Sequence, residues 1–295
     1  MAWASAAVAA WESFGRWRRL CGWEIFTVDL PALGDERHEP LLVLHGFPTS
    51  SFDFHLVADD LRDGRRVLLL DLLGYGMSEK PDRPYTLREQ ADIVTAFVAE
   101  AEVAELALLT HDMGDTVGGE LLARQAEGTW EVEVTRRVLT NGSIYIAMAQ
   151  LSAGQRFLLG LPDRWLADDV PLDGGSVAAG VVATFAEPER ADPGEVRAVA
   201  ELVAHRDGHR ALPRTIRYIE ERRREEGRFT GAIEVHPSPL SVVWGAEDPI
   251  AVVAMVDRLR AARPDAVVRV LGGVGHYPML EAPATFADAV APALD

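Results

Sequence analysis

The chain has 295 residues, 48% of them hydrophobic and 25% charged, with a formal net charge of −17. That length suits one large α/β domain carrying an insertion, and the composition excludes a disordered chain. So acidic a surface repels phosphate backbones and anionic headgroups, which argues against a nucleic-acid partner. The single cysteine, Cys21, allows no intrachain disulfide and is compatible with a reducing cytoplasm, where the protein is expected to reside.

Residues 1–11 are apolar but lack a basic leading stretch, and Glu12, Arg16, Arg18 and Arg19 follow closely. A secretory leader has the opposite order, and a membrane span needs about 20 apolar residues. The reading is an amphipathic helix packed on the domain or on a partner subunit, which leaves room for a homodimer; membrane attachment is disfavoured.

Beyond it, short apolar runs that end in glycine or an acid alternate with helical patterns. Residues 41–44 run into His45-Gly46, and 66–70 end at Asp71; a helical pattern over 85–102 follows. Residues 106–109 lead to Thr110-His111-Asp112, and a helix is predicted over 116–125. The run 137–140 meets Asn141-Gly142. Later, 240–244 meets Gly245, a helix is predicted over 252–262, and 267–271 meets Gly272-Gly273. Apolar runs without polar alternation are strands buried on both faces. Their alternation with helices gives the α/β class, a mostly parallel sheet covered on both sides.

The rhythm breaks over 143–236, where Pro162, Pro171, Pro188, Pro193 and Pro213 separate helix-like pieces with no buried strand. This stretch reads as a helical cap, inserted into a core formed by 1–142 and 237–295. The mixed-charge run 220–226 reads as a solvated helix face.

Leu109-Thr110-His111-Asp112-Met113-Gly114 has the form of a sharp strand-to-helix turn that lifts its central side chain above the sheet beside a helix N-terminus. An aspartate there could merely cap the helix. Its companions argue for more. Asp248 follows the strand at 240–244, and His276 lies in a glycine-rich loop after the last strand. Nucleophile, acid and histidine in that order, each at a strand's carboxyl end, is the order of an α/β-hydrolase triad. The N–H groups of Phe47 and Met113 should converge there as an oxyanion hole. His45 and His111 read as loop-bonding residues. No cluster has metal-ligand spacing and no glycine-rich loop suits a dinucleotide, so no metal or cofactor is expected.

His45-Gly46-Phe47-Pro48-Thr49-Ser50-Ser51, Asp71 through Pro81, Thr110 through Asp115 and Gly275-His276-Tyr277-Pro278 together resemble α/β-hydrolase-fold enzymes with an aspartate nucleophile, the epoxide hydrolases and haloalkane dehalogenases. The closest likeness is to the mesoderm-specific transcript (MEST) group of epoxide-hydrolase-like proteins. It covers about 23–294 outside the cap. Thr110 departs from the family's usual glycine, and the cap matches no family motif.

The resemblance implies that the Asp112 carboxylate attacks a saturated carbon, and that His276, oriented by Asp248, activates the water that hydrolyses the resulting ester. It also implies an acid for an epoxide oxygen from cap tyrosines; Tyr218 and Tyr145 are the ones available. Phe47 and Met113 offer no side-chain N–H to a departing halide, and Asp115 repels a substrate carboxylate. The expectation is therefore an epoxide hydrolase acting on an apolar small molecule, with Phe47, Met113, Trp165 and Phe157 lining its pocket. A haloalkane dehalogenase with unfamiliar halide donors and a catalytically silent binding scaffold are the alternatives.

Overall fold

A computed structural model describes residues 3–295. Leu-Val runs with no polar alternation build the centre of its sheet: β3 (Leu41–Leu44) and β4 (Val67–Leu70) are buried at every position. A hairpin of β1 (Gly15–Leu20) and β2 (Trp23–Leu30) precedes them, and β5 (Glu105–His111), β6 (Glu133–Thr140), β7 (Leu240–Gly245) and β8 (Val267–Leu271) follow. They form one sheet in the order β1-β2-β4-β3-β5-β6-β7-β8. β2 runs antiparallel to β4, and β3 to β8 are parallel.

The sequence reading found the six parallel strands and missed the hairpin. β1 is an edge strand of Gly-Arg-Trp-Arg-Arg-Leu, buried only at Leu20, so no continuous apolar run announces it. Its turn places Cys21 and Gly22 at φ of 51° and 89°, a region that glycine reaches without steric cost.

Helices cover both faces. α1 (Ala6–Phe14) leads the chain; α2 (Ala58–Leu61), α3 (Leu87–Glu100) and α4 (Met113–Ala126) alternate with the strands. After β6 come α5 (Ala153–Gly160), α6 (Gly174–Val182), α7 (Pro193–Ala204), α8 (Gly208–Thr215) and α9 (Tyr218–Val235). α10 (Ala254–Ala262), α11 (Pro278–Glu281) and α12 (Pro283–Leu294) complete the chain. One core cluster holds Leu42, Leu108 and Trp244 with Phe97 of α3 and Leu121 of α4. The other holds Val43, Leu109 and Val243 with Phe286 and Val290 of α12. Each such side chain contributes about 1.5–3 kcal/mol by leaving water.

The helix expected at the N-terminus is α1; Met1 and Ala2 lie outside the described residues. It packs on the domain itself: Trp11 is buried and donates its indole N–H to Ser51 Oγ at 3.2 Å. Ser5 N–H, at the head of α1, donates to Glu201 of α7 at 2.9 Å. Among the described residues, no helix is long and apolar enough to cross a membrane.

Between β6 and β7 the described chain forms helices and irregular loops without a strand. The expected end of the insertion needs correcting. α9 kinks at Glu225, whose φ and ψ are −119° and 24°. Beyond the kink it lies on α4, so closely that a Cβ on Gly119 would fall 2.6 Å from Phe229 O. Arg228 there pairs with Glu120 at 2.6 Å and with Glu127 at 2.5 Å. The sheet-covering layer therefore resumes at the kink, before His236. The run 220–226 is also only partly solvated. Glu221 and Arg222 are buried, the first accepting Leu87 N–H at 2.8 Å and the second donating to Ser143 O at 2.5 Å.

Candidate active site

Registry fixes where the site opens. Leu44 of β3 pairs with Thr110 of β5, and His111 pairs with Thr140 of β6. The loops that follow these strands, with those after β7 and β8, emerge on one edge of the sheet, beneath α5 to α8.

Asp112 stands between β5 and α4 with φ 49° and ψ −112°. A non-glycine residue reaches that conformation only under strain of about 1–3 kcal/mol, held by its surroundings. Two glycines make room for it. A Cβ on Gly46 would lie 2.6 Å from Asp112 Cβ, and one on Gly114 would lie 2.4 Å from Leu44 O. The Phe47 N–H donates to Asp112 Oδ2 at 2.9 Å. The other oxygen, Oδ1, is buried without a hydrogen-bond partner among the described residues. The Met113 N–H, expected to converge with that of Phe47, therefore makes no bond to Oδ1; it lies at the N-terminus of α4, next to the carboxylate.

His276 turns Nε2 toward Asp112 Oδ1 at 4.0 Å, and its Nδ1–H donates to Asp248 Oδ2 at 2.7 Å. Asp248 is held from three further directions. Asn141 Nδ2 donates to Oδ2 at 2.7 Å, and the N–H groups of Ile250 and Ala251 donate to Oδ1 at 2.7 and 3.0 Å. Burial alone would lower the His276 pKa. The Asp248 carboxylate, and Asp112 after it, outweigh that effect and raise it to about 9. The structure thus brings Asp112, His276 and Asp248 into one line.

The other two histidines serve the loops. Leu72 N–H donates to His45 Nε2 at 2.9 Å, so Nδ1 carries the proton and donates to Gly46 O at 2.8 Å. His111 Nε2–H donates to His276 O at 2.8 Å, and burial lowers its pKa to about 4, which keeps it neutral.

The cap tyrosines part company. Tyr218, the first residue of α9, is buried with its ring 5.6 Å from that of Phe47. Burial, and then the nearby Asp112 charge, raise its pKa, so it is a neutral donor. Tyr145 does not join the site. Its hydroxyl donates to Glu234 at 2.7 Å, and the Arg258 guanidinium covers its ring at 4.1 Å. The expectation that Tyr145 faces the nucleophile is overturned by this pairing, because Glu234 lies on the half of α9 that covers the sheet.

A cavity of about 250 Å³ reaches the site from the cap, lined by Phe47, Phe157, Leu158, Leu172, Val181, Leu212, Ile250, His276 and Tyr277. Of the pocket residues expected, Phe47 and Phe157 line it. Trp165 does not: it is absent from the cavity wall and sits under the Arg210 guanidinium at 5.2 Å. Met113 turns its sulfur to the Tyr75 hydroxyl at 3.4 Å and is buried beside the nucleophile rather than in the cavity wall. A larger pocket of about 420 Å³ lies between α6, α7 and the 272–282 loop, but touches none of Asp112, His276 and Asp248. The smaller one meets the triad at His276, whose Nε2 is 4.0 Å from Asp112 Oδ1; Asp112 and Tyr218 themselves are not in its wall. Among the described residues, no group of histidines, cysteines and acids could hold a metal.

Sequence reasoning passed over three residues that build this site. Asn141, at φ 48°, joins Asp248 to Gly245 N–H, which it accepts at 3.0 Å; an asparagine straight after a strand was the available signal. Glu281 accepts the N–H groups of Gly275 and Tyr277, on either side of His276, at 2.8 and 2.9 Å. Arg222 lies over the Tyr218 ring, 4.9 Å from its centroid.

Known proteins of the same build agree with this architecture. The chain is 38% identical to LipZ of Mycobacterium tuberculosis over 287 residues, covering 97% of each. The expected likeness to the MEST group is present but weaker: identity to the Homo sapiens mesoderm-specific transcript homolog protein is 29% over 307 residues, covering 97% of this chain and 87% of that one. An alpha/beta hydrolase fold protein from Burkholderia ambifaria superposes with a TM-score of 0.74 at 23% identity, covering 95% and 97% of the two chains. The profile of the alpha/beta hydrolase family matches residues 41–289, and the chain belongs to that family.

Proposed function

We propose that this hydrolase is an epoxide hydrolase, converting an apolar epoxide and water to a vicinal diol through an ester on Asp112. The observation that carries the reading is a strained carboxylate facing the Nε2 of an acid-paired histidine at 4.0 Å. A carboxylate opens a saturated, strained ring well. Against an ordinary ester it would form a reactive anhydride, so esterase chemistry ranks below.

In the first step Asp112 attacks a ring carbon, and the Tyr218 phenol gives its proton to the departing oxygen. In the second, His276 takes a proton from water, whose oxygen adds to the Asp112 carbonyl carbon; the ester C–O bond then breaks, the diol oxygen leaves with the proton His276 took, and Asp112 is left as the carboxylic acid. The oxyanion this creates is stabilised by the Phe47 N–H, and by that of Met113 once the carboxyl group has turned. With Asp112 ionised, a His276 pKa of about 9 keeps the ring protonated at neutral pH. Esterification removes the Asp112 charge, so the ring yields its proton when a base is needed. The cavity lining carries no charged side chain other than His276, which suits an uncharged substrate. Phe47 and Met113 beside the nucleophile offer no side-chain N–H to a halide. Among the described residues, the only such donors in the cavity wall besides His276 are on Gln155, whose Oε1 accepts Ser152 N–H at the head of α5; this disfavours dehalogenation.

Incubation with styrene oxide and, separately, with 1-bromobutane separates the readings: diol from the first is expected. Bromide without diol overturns the epoxide assignment, and neither product favours a binding scaffold. Mass spectrometry of a His276→Gln variant should then find the substrate esterified on the Asp112 peptide, and an adduct elsewhere removes Asp112 from its role.

A further inference from the structure

Arg222 is a cation buried to 1% exposure whose hydrogen bond goes to a backbone carbonyl, and among the described residues no carboxylate lies within ion-pair distance of it. A buried charge without an ionic partner costs several kcal/mol, so its retention calls for an account. Arg222 sits four residues after Tyr218, one turn along α9, with its guanidinium over the phenol ring at 4.9 Å. One end is anchored, Nη1 donating to Ser143 O at 2.5 Å. Its Nε–H is buried without a partner. Asp115, outside ion-pair distance, is near enough to feel the Arg222 charge. Its Oδ2 is buried and unpartnered, and lies where a Cβ on Gly142 would come within 1.9 Å.

We propose that Arg222 is the positioning residue of the phenol: it fixes Tyr218 beside Asp112 and stabilises the phenolate that proton donation leaves behind. This rests on the epoxide-hydrolase reading. As the ester bond to Asp112 forms, the ring C–O bond breaks and its electron pair stays on oxygen. The Tyr218 O–H proton moves to that oxygen, leaving a phenolate beside the guanidinium. Hydrolysis of the ester leaves a carboxylic acid on Asp112, and its proton restores the phenol. Burial and the Asp112 charge both oppose the phenolate, while the charge and hydrogen-bonding reach of Arg222 favour it.

The test separates the two half-reactions with styrene oxide. Ring opening is followed as ester accumulation in the His276→Gln background, and ester hydrolysis as single-turnover diol release with His276 in place. Arg222→Met should slow ring opening about 30-fold, the worth of a charge-assisted contact, and change ester hydrolysis less than about 3-fold. Arg222→Lys keeps the cation but loses the planar fork, and should recover part of the rate; it also carries the test if the methionine variant does not fold. In a Tyr218→Phe background the arginine change should cost nothing further, because both act through one proton. Equal losses in both half-reactions, undiminished ring opening, or additivity with Tyr218→Phe each overturn the proposal. An unsubstituted enzyme that forms no ester on Asp112 overturns the parent reading as well, whereas ester formation unaffected by Arg222→Met removes the arginine alone.

Discussion

Removing the charge of Asp112 should lower the pKa of His276, and the size of the effect can be worked from the structure. Asp112 Oδ1 and His276 Nε2 are 4.0 Å apart, with side chains 2% and 5% exposed. Two unit charges at that distance, with an effective dielectric of about 20, interact by about 4 kcal/mol, or about three pKa units. Asp248 retains its hydrogen bond to the ring and remains the stronger of the two carboxylate influences, so the change is expected to be smaller, at least one unit. In an Asp112→Asn variant the imidazole, raised to about 9 in the unsubstituted protein, should therefore titrate at least one unit lower. NMR titration of ring-labelled histidine reads this directly, with His276→Gln assigning one signal among the eight histidines. The other buried histidines help, since His111 and His236 are held near 4 by burial and stay neutral through the range. A His276 pKa that moves by less than about half a unit would refute the charge coupling on which the timing of the second step depends.

Tyr145→Phe removes only a hydrogen bond to Glu234; it should leave styrene oxide turnover within about 2-fold while lowering stability by about 1–2 kcal/mol. Tyr218→Phe should do the reverse, a contrast that activity and denaturant unfolding resolve. Gly46→Ala drives a Cβ to 2.6 Å from Asp112 Cβ and should lower turnover at least about 100-fold with secondary structure by circular dichroism retained, because the elbow must shift. Glu281→Ala leaves the N–H groups of Ala186, Gly275 and Tyr277 without their acceptor, which should cost about 2–4 kcal/mol in unfolding and slow ester hydrolysis more than ring opening. His276 has a folded pKa of about 9 against 6.5, so its contribution is complete below pH 6.5 and is lost as pH rises through 9. Lys80, lowered by burial from 10.5 to about 7, acts in the opposite sense as pH rises above 7. The stability difference between the unsubstituted protein and His276→Gln isolates the histidine and should fall by about 3 kcal/mol from pH 6 to 10; a flat difference contradicts the folded-state pairing.

What could be read from residues alone followed from burial on both faces. β3 to β5 are unbroken apolar runs buried along nearly their whole length, while β8 (Val-Val-Arg-Val-Leu) was found as a run but is an edge strand with Val267 and Val270 exposed rather than buried on both faces. The glycine or polar residue after each run still allowed Asp112, Asp248 and His276 to be placed past strand ends. β1 escaped because an edge strand buries one residue, Leu20, and its charges read as surface. The cap was legible as helical but not in its contacts. Glu221 and Arg222 sit in a run of alternating charges that looks solvated, yet α9 wedges them against α3 and the start of the insertion. Tyr145 and Tyr218 are alike in sequence; only the fold tells that one phenol has Glu234 within reach and the other faces Phe47. Asn141 and Glu281 act through backbone groups far from them in sequence, a relation that no local pattern encodes.

The insertion and the histidine loop behave as one body, and this constrains how a substrate arrives. His276 N–H donates to Thr184 O at 3.1 Å, and Glu281 accepts Ala186 N–H at 2.8 Å while also holding Gly275 and Tyr277. The contact is too close for side chains: a Cβ on Gly275 would lie 2.5 Å from Thr184 O. Swinging the cap away at this edge would carry His276 off Asp248 or break the two hydrogen bonds that cross it, from His276 N–H to Thr184 O and from Ala186 N–H to Glu281, each worth about 1 kcal/mol net and more if left unpaired. The base is thus in register only when the cap is closed here. A substrate must then pass through the mouth of the cavity, where Phe157 is 48% exposed, rather than through a gap opened between the two layers. On the proposed reaction the same rigidity would serve the chemistry, because it would keep His276 in place beside an ester on Asp112 until the hydrolytic step.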